Sequence, residues 1–386
     1  MTTTLPPRLS VGASVTDDRP TQVIGGLAAE QRRAELALVP EARRNLGSRT
    51  LDDGASLLAA GLGSGALVWV VYQGLLPFSG PLGFLVLWYV TFLVLYSVVS
   101  ALGNPGPVVA DRLSAAVVIG GASVVGLGLL SVVGVTFYRG RDALVHAQML
   151  VNDGAAVGPR SELTTGGFGH ALVGSLIQIG IAIAIALPLG VGCAVFMTEV
   201  GGKFAKLVRT VVEAMTALPS IVAGLFIFTV WLVALGNDRS GFAAALALSV
   251  MMLPIIARAS EVVLRVVPGG LREASLALGA SQWQTVWRVV LPTARPGLAT
   301  ALILGVARGV GETSPVLLTS GASQFLNVNP FSGGMNSLPL YTYTFARSGE
   351  PLLIARAFGA ASVLLVLVLA LFVVARSLAK QRTGRG

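Results

Sequence analysis

Two arginines stand where a polypeptide can least easily hide a charge. Arg308 sits inside the apolar run ILGVARGVGETSPVLLTSG, with Glu312 four residues later and Thr313 directly after it. Residues i and i+4 share a helix face, so Arg308 and Glu312 can pair. Arg258 lies in LSVMMLPIIARASEVVL, four residues after Pro254 and three before Glu261. A guanidinium keeps its charge and offers two parallel donors, which can replace the hydration an oxyanion sheds. Gly309, Gly311 and Pro315 would loosen the backbone around Arg308 and free further N–H donors. The bland alternatives are a purely structural ion pair at Arg308 and a snorkelling side chain at Arg258. The chemistry these residues suit is the passage of an anion, and their types alone say nothing finer.

A second pattern occupies Arg265–Arg295, RVVPGGLREASLALGASQWQTVWRVVLPTAR. Pro268, Gly269 and Gly270 break what precedes them. A short helix is expected from Leu271 to Leu278, ending at Gly279, with a restart at Ser281 as N-cap. A second amphipathic stretch, carrying Trp283, Val286, Trp287 and Val290, is expected to end at Pro292. On periodicity alone this is an interfacial hairpin. Catalysis finds no foothold elsewhere, because no nucleophile–base pair and no G-x-x-x-x-G-K-[ST] phosphate loop occurs. Cys193 is the one cysteine, and His146 and His170 stand far apart without a carboxylate cluster. We therefore expect no metal, no cofactor and no enzyme.

The elements that must position these residues are membrane helices. The 386 residues are 54% hydrophobic and 12% charged, about half the charge of a soluble domain. Eight stretches are long enough to cross a bilayer, which takes about 20 apolar residues. They are Leu57–Leu76, Leu82–Leu102, Ser114–Tyr138, Ala171–Thr198, Val211–Leu235, Phe242–Leu264, Gly297–Ser320 and Leu352–Ala375. Lys and Arg outside the spans, tails included, gather on the side of the N-terminus, 19 against five, which places both termini in the cytoplasm. The net charge of +9 reflects this bias and not a nucleic-acid surface. Three regions follow. Residues 1–52 form a polar tail with no signal-peptide pattern, with a short helix possible at Ala28–Leu38. Residues 53–110 form an accessory hairpin, and residues 111–386 a six-helix core that carries the intramembrane polar residues, with the loop 265–295 on its cytoplasmic side.

The loop resembles the EAA signature of ABC importer permeases: Glu273, Ala274, then Gly279, Val289, Leu291 and Pro292 at the family's spacing. Ser275 replaces the second alanine and Val289 the isoleucine, both of similar size. The resemblance implies a coupling helix that docks in a groove of a separate ATPase. Ala274 and Ser275 would permit close approach, Gly279 the bend, and Glu273 a pair with the partner. From about Ser114 onward the chain is further similar to the PstA-type permease subunits of bacterial phosphate importers. ALPSIVAGLFIF (217–228), LREASLALGASQW (271–283), ARGVGETSPVLL (307–318) and NPFSGGMNSLPLYTY (329–343) carry that similarity.

What the likeness implies is an all-α integral membrane protein of eight transmembrane helices, a type I importer core preceded by an extra hairpin, in a bacterial plasma membrane. Its residues for phosphate would be Arg258, Arg308, Glu312 and Thr313. Its partners would be a PstC-like second permease, a PstB-like ATPase dimer, and a PstS-like phosphate-binding lipoprotein docking on the long external loops 139–170 and 321–351. The same machine for sulfate, molybdate or tungstate, and a transporter needing no ATPase, are the competing readings.

Overall fold

The computed structural model describes residues 51–74 and 80–379. The polar tail up to residue 50, with the helix expected at Ala28–Leu38, lies outside the described residues. Every regular element among the described residues is helical. By length and composition seven helices can cross a membrane, or eight if one sharply bent pair counts as a single span.

Three helices open the described chain: α1 (Leu51–Gly74), α2 (Pro81–Gly103) and the 39-residue α3 (Gly106–Leu144). The chain divides into two compact units within α3, the first ending at Ser123 and the second beginning at Val124. In the first unit, Phe84 of α2 meets Trp69 and Tyr72 of α1 edge-on. Trp88 Nε1 also donates to the Gly61 carbonyl at 3.3 Å. Aromatic edges and a few donors, among them Tyr72 Oη to the Gly80 carbonyl at 2.8 Å, thus hold the hairpin, as fits helices with little internal polarity.

In the second unit α4 (Gln148–Val151) is a single turn and α5 (Gly169–Val195) a long span extended by a π-helical turn, Phe196–Val200. Then come α6 (Gly202–Thr216) and α7 (Ser220–Ile227), the latter continued by a π turn to Ala234. The span expected over Val211–Leu235 is therefore not one helix. Its two parts meet at 108°. Pro219 supplies the cause: it lacks an N–H, and it pushes Leu218 out of helical conformation.

Next is α8 (Gly241–Val266), whose N-cap Ser240 accepts from the Ala243 N–H through its Oγ. The short helices α9 (Gly269–Ala277) and α10 (Gln282–Thr285) form the hairpin expected in the loop 265–295. Between them Gly279 takes φ +82°, which a side chain would resist. Ser281 then closes a capping box with Gln284.

Here a second expectation fails. The amphipathic stretch does not stop at Pro292 but runs through a π turn (Val286–Val290) into α11 (Leu291–Val310), a continuous rod of 29 residues. Pro292 falls in the first turn after the π turn, where the wider coil has already displaced the i−4 carbonyl that a proline ring would strike. The rod then ends at Val310, short of Ser320, and α12 (Ser314–Thr319) follows a non-helical turn. The buried α13 (Leu338–Ala346) and the final span α14 (Pro351–Ala379) complete the unit.

The core sits where α5, α8 and α11 cross, around Ile179, Ala186, Leu248, Met252, Ile256 and Val306. Glycine permits the approach: a Cβ on Gly305 of α11 would stand 2.5 Å from Ile256 Cγ1. A second cluster packs Phe168, Tyr341 and Phe345 with Leu353 and Ala357 of α14.

Candidate functional site

The last turn of α11 delivers Arg308 to one side of the bundle and the following turn swings Glu312 back into it. Arg308 is half exposed at 53%, while the Glu312 side chain is 8% exposed. Their Nη2 and Oε1 atoms are 3.0 Å apart. The angle is not that of a hydrogen bond, and Oε1 has no other partner among the described residues. Contact without alignment leaves both groups able to turn toward something else. Thr313 starts the next turn, its carbonyl accepting from the Leu317 N–H at 2.9 Å.

Arg308 lines a cavity of about 50 Å³ whose wall includes Thr216 and Leu218 at the α6–α7 break, and Met251 and Pro254 of α8. The break at Pro219 thus sets Thr216 and Leu218 in one cavity wall with the Arg308 guanidinium. Glu312 borders a separate space of about 10 Å³, with Ser175, Gln178 and Ser337. That is room for about one water among several polar groups.

Arg258 does not join Arg308 in its cavity; Pro254, one turn earlier, does. Arg258 is instead engaged twice. Its Nη1 donates to Glu261 Oε2 at 3.0 Å and its Nη2 lies 2.8 Å from Glu213 Oε1 on α6. Glu261, only 2% exposed, also accepts from Arg209 Nε at 2.8 Å and from Arg265 Nη2 at 2.6 Å. A buried carboxylate is tolerable when its lone pairs are filled, and three guanidiniums fill these.

In the α9–α10 hairpin Glu273, Ala274 and Gly279 are exposed, and Ser275 is half-buried with Oγ 2.9 Å from Thr285 Oγ1. Leu291 and Pro292 lie apart from them, in the rod, where Leu291 packs against Val290, Ala294 and Leu264. The hairpin thus shows a small-residue surface backed by one hydroxyl pair. Sequence reasoning missed Arg209, Glu213, Glu199 and Arg272, because the pairs they make join residues on different helices. It also missed Arg356, wholly buried on α14, whose Nη2 donates to the Ser161, Glu162 and Thr165 carbonyls. Its one visible signal was an arginine six residues into an apolar span.

Comparison with known proteins gives a consistent picture. Residues 186–383 match the family described as binding-protein-dependent transport system inner membrane component. Phosphate transport system permease protein PstA 1 of Mycobacterium tuberculosis is 45% identical over 208 residues, covering 54% of this chain and 68% of that protein. PstA of Xylella fastidiosa is 39% identical over 215 residues, covering 55% of this chain and 75% of its own length. Among solved structures, an inward-facing form of the MetNI methionine ABC transporter overlaps with a TM-score of 0.45 at 24% identity, over 55% of this chain and 93% of that one. The family profile spans half of the chain and the PstA relatives share well over a third of the aligned residues, so the chain belongs to the binding-protein-dependent inner membrane transport components and, within them, to the PstA phosphate transport permeases.

Proposed function

We propose that this multi-pass membrane protein is one of two pore-forming subunits of an ATP-driven importer of inorganic phosphate. The observation that carries the reading is the 45% identity over 208 residues to a PstA permease. The geometry suits it: a half-exposed, permanently charged Arg308 faces a cavity bordered by broken-helix backbone. There Arg308 takes the anion's charge, and Glu312 holds the guanidinium in place when no anion is present. Arg258, Glu261 and Glu213 form the polar floor nearer the hairpin, and Thr313 sets the turn that aims Glu312.

The permease core comprises residues 111–386, with 53–110 as an accessory hairpin and both termini in the cytoplasm. Glu273, Ala274, Ser275 and Gly279 present the surface that docks on an ATPase dimer of PstB type, and Leu291 and Pro292 anchor it to the membrane rod. A PstC-like permease completes the pathway and a PstS-like lipoprotein delivers phosphate to the opposite face.

The test is uptake of labelled phosphate into vesicles holding the complete complex, with and without ATP, and with sulfate, molybdate or tungstate as competitors. ATP-dependent uptake competed only by phosphate supports the reading. Competition by another oxyanion in place of phosphate overturns the substrate, and equal uptake by this chain alone overturns the need for an ATPase.

A further inference from the structure

α9 holds an exposed position with little of its own to keep it there. It has nine residues, none of them buried. A helix so short and so bare has no independent stability, and its orientation must come from bonds to its neighbours. Only Val267 and Pro268 separate it from α8, and Pro268 interrupts the helical hydrogen bonding between them, so α9 is not a continuation of the α8 rod.

One side chain supplies the bonds. Arg272 stands next to Glu273 on α9 and is itself largely buried. Its Nη1 donates to the Val267 carbonyl at 2.7 Å and its Nη2 to the Leu264 carbonyl at 2.9 Å, both at the C-terminal end of α8. Pro268 has no N–H to give the Leu264 carbonyl, which otherwise takes a long 3.4 Å bond from the Val267 N–H, and a cation there also meets the negative pole of the helix. The same guanidinium reaches the π turn that closes α5. Nη2 lies 2.9 Å from Glu199 Oε1, and Nε donates to both oxygens at 3.2 and 3.3 Å. Glu199 is 10% exposed. Its backbone carbonyl accepts from Gln282 Nε2, so the second limb of the hairpin is tied to the same residue. Ser275 and Thr285 close the loop between the limbs.

We propose that Arg272 and Glu199 are positioning residues that form the joint delivering the ATPase-driven displacement of α9 to α5 and α8. The inference rests on the reading of the chain as a permease worked by a separate ATPase. One planar fork fixes α9 to two spans at once. A push on the exposed Glu273–Ala274 face therefore moves the ends of α5 and α8 together instead of bending the chain at Val267–Pro268. The surface that meets the ATPase lies on other residues, so the joint and the docking face are separable.

The experiment purifies the full complex with Arg272→Ala, Arg272→Lys or Glu199→Gln, and measures ATPase retention, ATP hydrolysis and phosphate uptake in the same vesicles. ATPase co-purification and hydrolysis are expected to persist, while uptake per ATP falls about 5- to 150-fold in Arg272→Ala and Glu199→Gln, the usual range of a coupling energy. Arg272→Lys keeps the charge but not the fork, and is expected to fall between them and the wild type. Should Arg272→Ala fail to accumulate, Arg272→Lys against Glu199→Gln gives the same comparison. An unchanged uptake per ATP in these variants overturns the joint, as does loss of the ATPase from the complex. A wild-type complex without ATP-dependent uptake overturns the importer reading, and the joint with it.

Discussion

Arg258 Nη2 on α8 lies 2.8 Å from Glu213 Oε1 on α6, so the arginine that sequence placed in an anion pathway already holds an anion of the protein's own. The same guanidinium shares Glu261 with Arg209 and Arg265. Five charges thus join α6 to α8, and the buried one is the carboxylate at the centre.

Burial decides how much each member matters. Glu213 and Arg258 are both nearly half exposed, and such pairs contribute about 0–1 kcal/mol. Removing the charge of Glu261 takes the shared acceptor from three partly exposed guanidiniums, a loss of charge-assisted hydrogen bonds in the range of about 1.5–3 kcal/mol. Glu213→Gln is expected to melt within a degree or two of the wild type in detergent, and Glu261→Gln well below it. Equal melting temperatures would contradict this ranking.

Arg308→Gln should abolish phosphate uptake while permease and ATPase still co-purify, since the half-exposed side chain supports no packing that the complex needs. Uptake at the wild-type rate would make the Arg308–Glu312 pair structural.

Glu273→Lys reverses a charge on the exposed face of α9, where no side-chain bond of Glu273 is found among the described residues. Its expected effect is a weakened hold on the ATPase, read as a lower yield of ATPase in pull-down, with the melting temperature of the permease unchanged.

Tyr341 in α13 is wholly buried, and among the described residues no hydrogen bond of acceptable geometry reaches its hydroxyl. Burial pushes its pKa up to about 12, with the nearby Arg356 guanidinium offsetting part of the effect. Between pH 10 and 12 the unfolded chain ionises this phenol and the folded chain does not. Stability is therefore intact below pH 10 and lost as pH rises, by up to about 1.4 kcal/mol per pH unit. Tyr341→Phe should flatten that part of the melting-versus-pH curve; an unaltered slope would refute the assignment.

Much of the fold was legible because apolar runs register directly as spans. The hairpin at α9–α10 was legible too, since Gly279 and Ser281 are local signals that nothing distant overrides. The bend at Pro219 was not, because ALPSIVAGLFIF is apolar on both sides and hydropathy carries no direction. At Pro292 the opposite error arose: the proline signal was over-read, and a π turn absorbed it. Within the candidate site the spacing of Arg308 and Glu312 gave their contact, being one helical turn. Arg209 stands 52 residues from Glu261, and no periodicity connects them. Arg272 stands 73 residues from Glu199, and that pair is equally invisible to any local pattern.

Arg356 carries a consequence for how the molecule is made. The carbonyls it gathers belong to residues emerging from the ribosome more than 190 positions earlier. Until α14 is made, segment 161–165 has only ties to its own neighbourhood, such as Gln148 Nε2 to the Thr164 carbonyl and the Gly158 N–H to Ser161 Oγ. A message truncated before that helix leaves these carbonyls without their donor and strips Leu353 and Ala357 from the Phe168–Tyr341–Phe345 cluster, a defect that exposes both polar backbone and apolar core to cellular proteases.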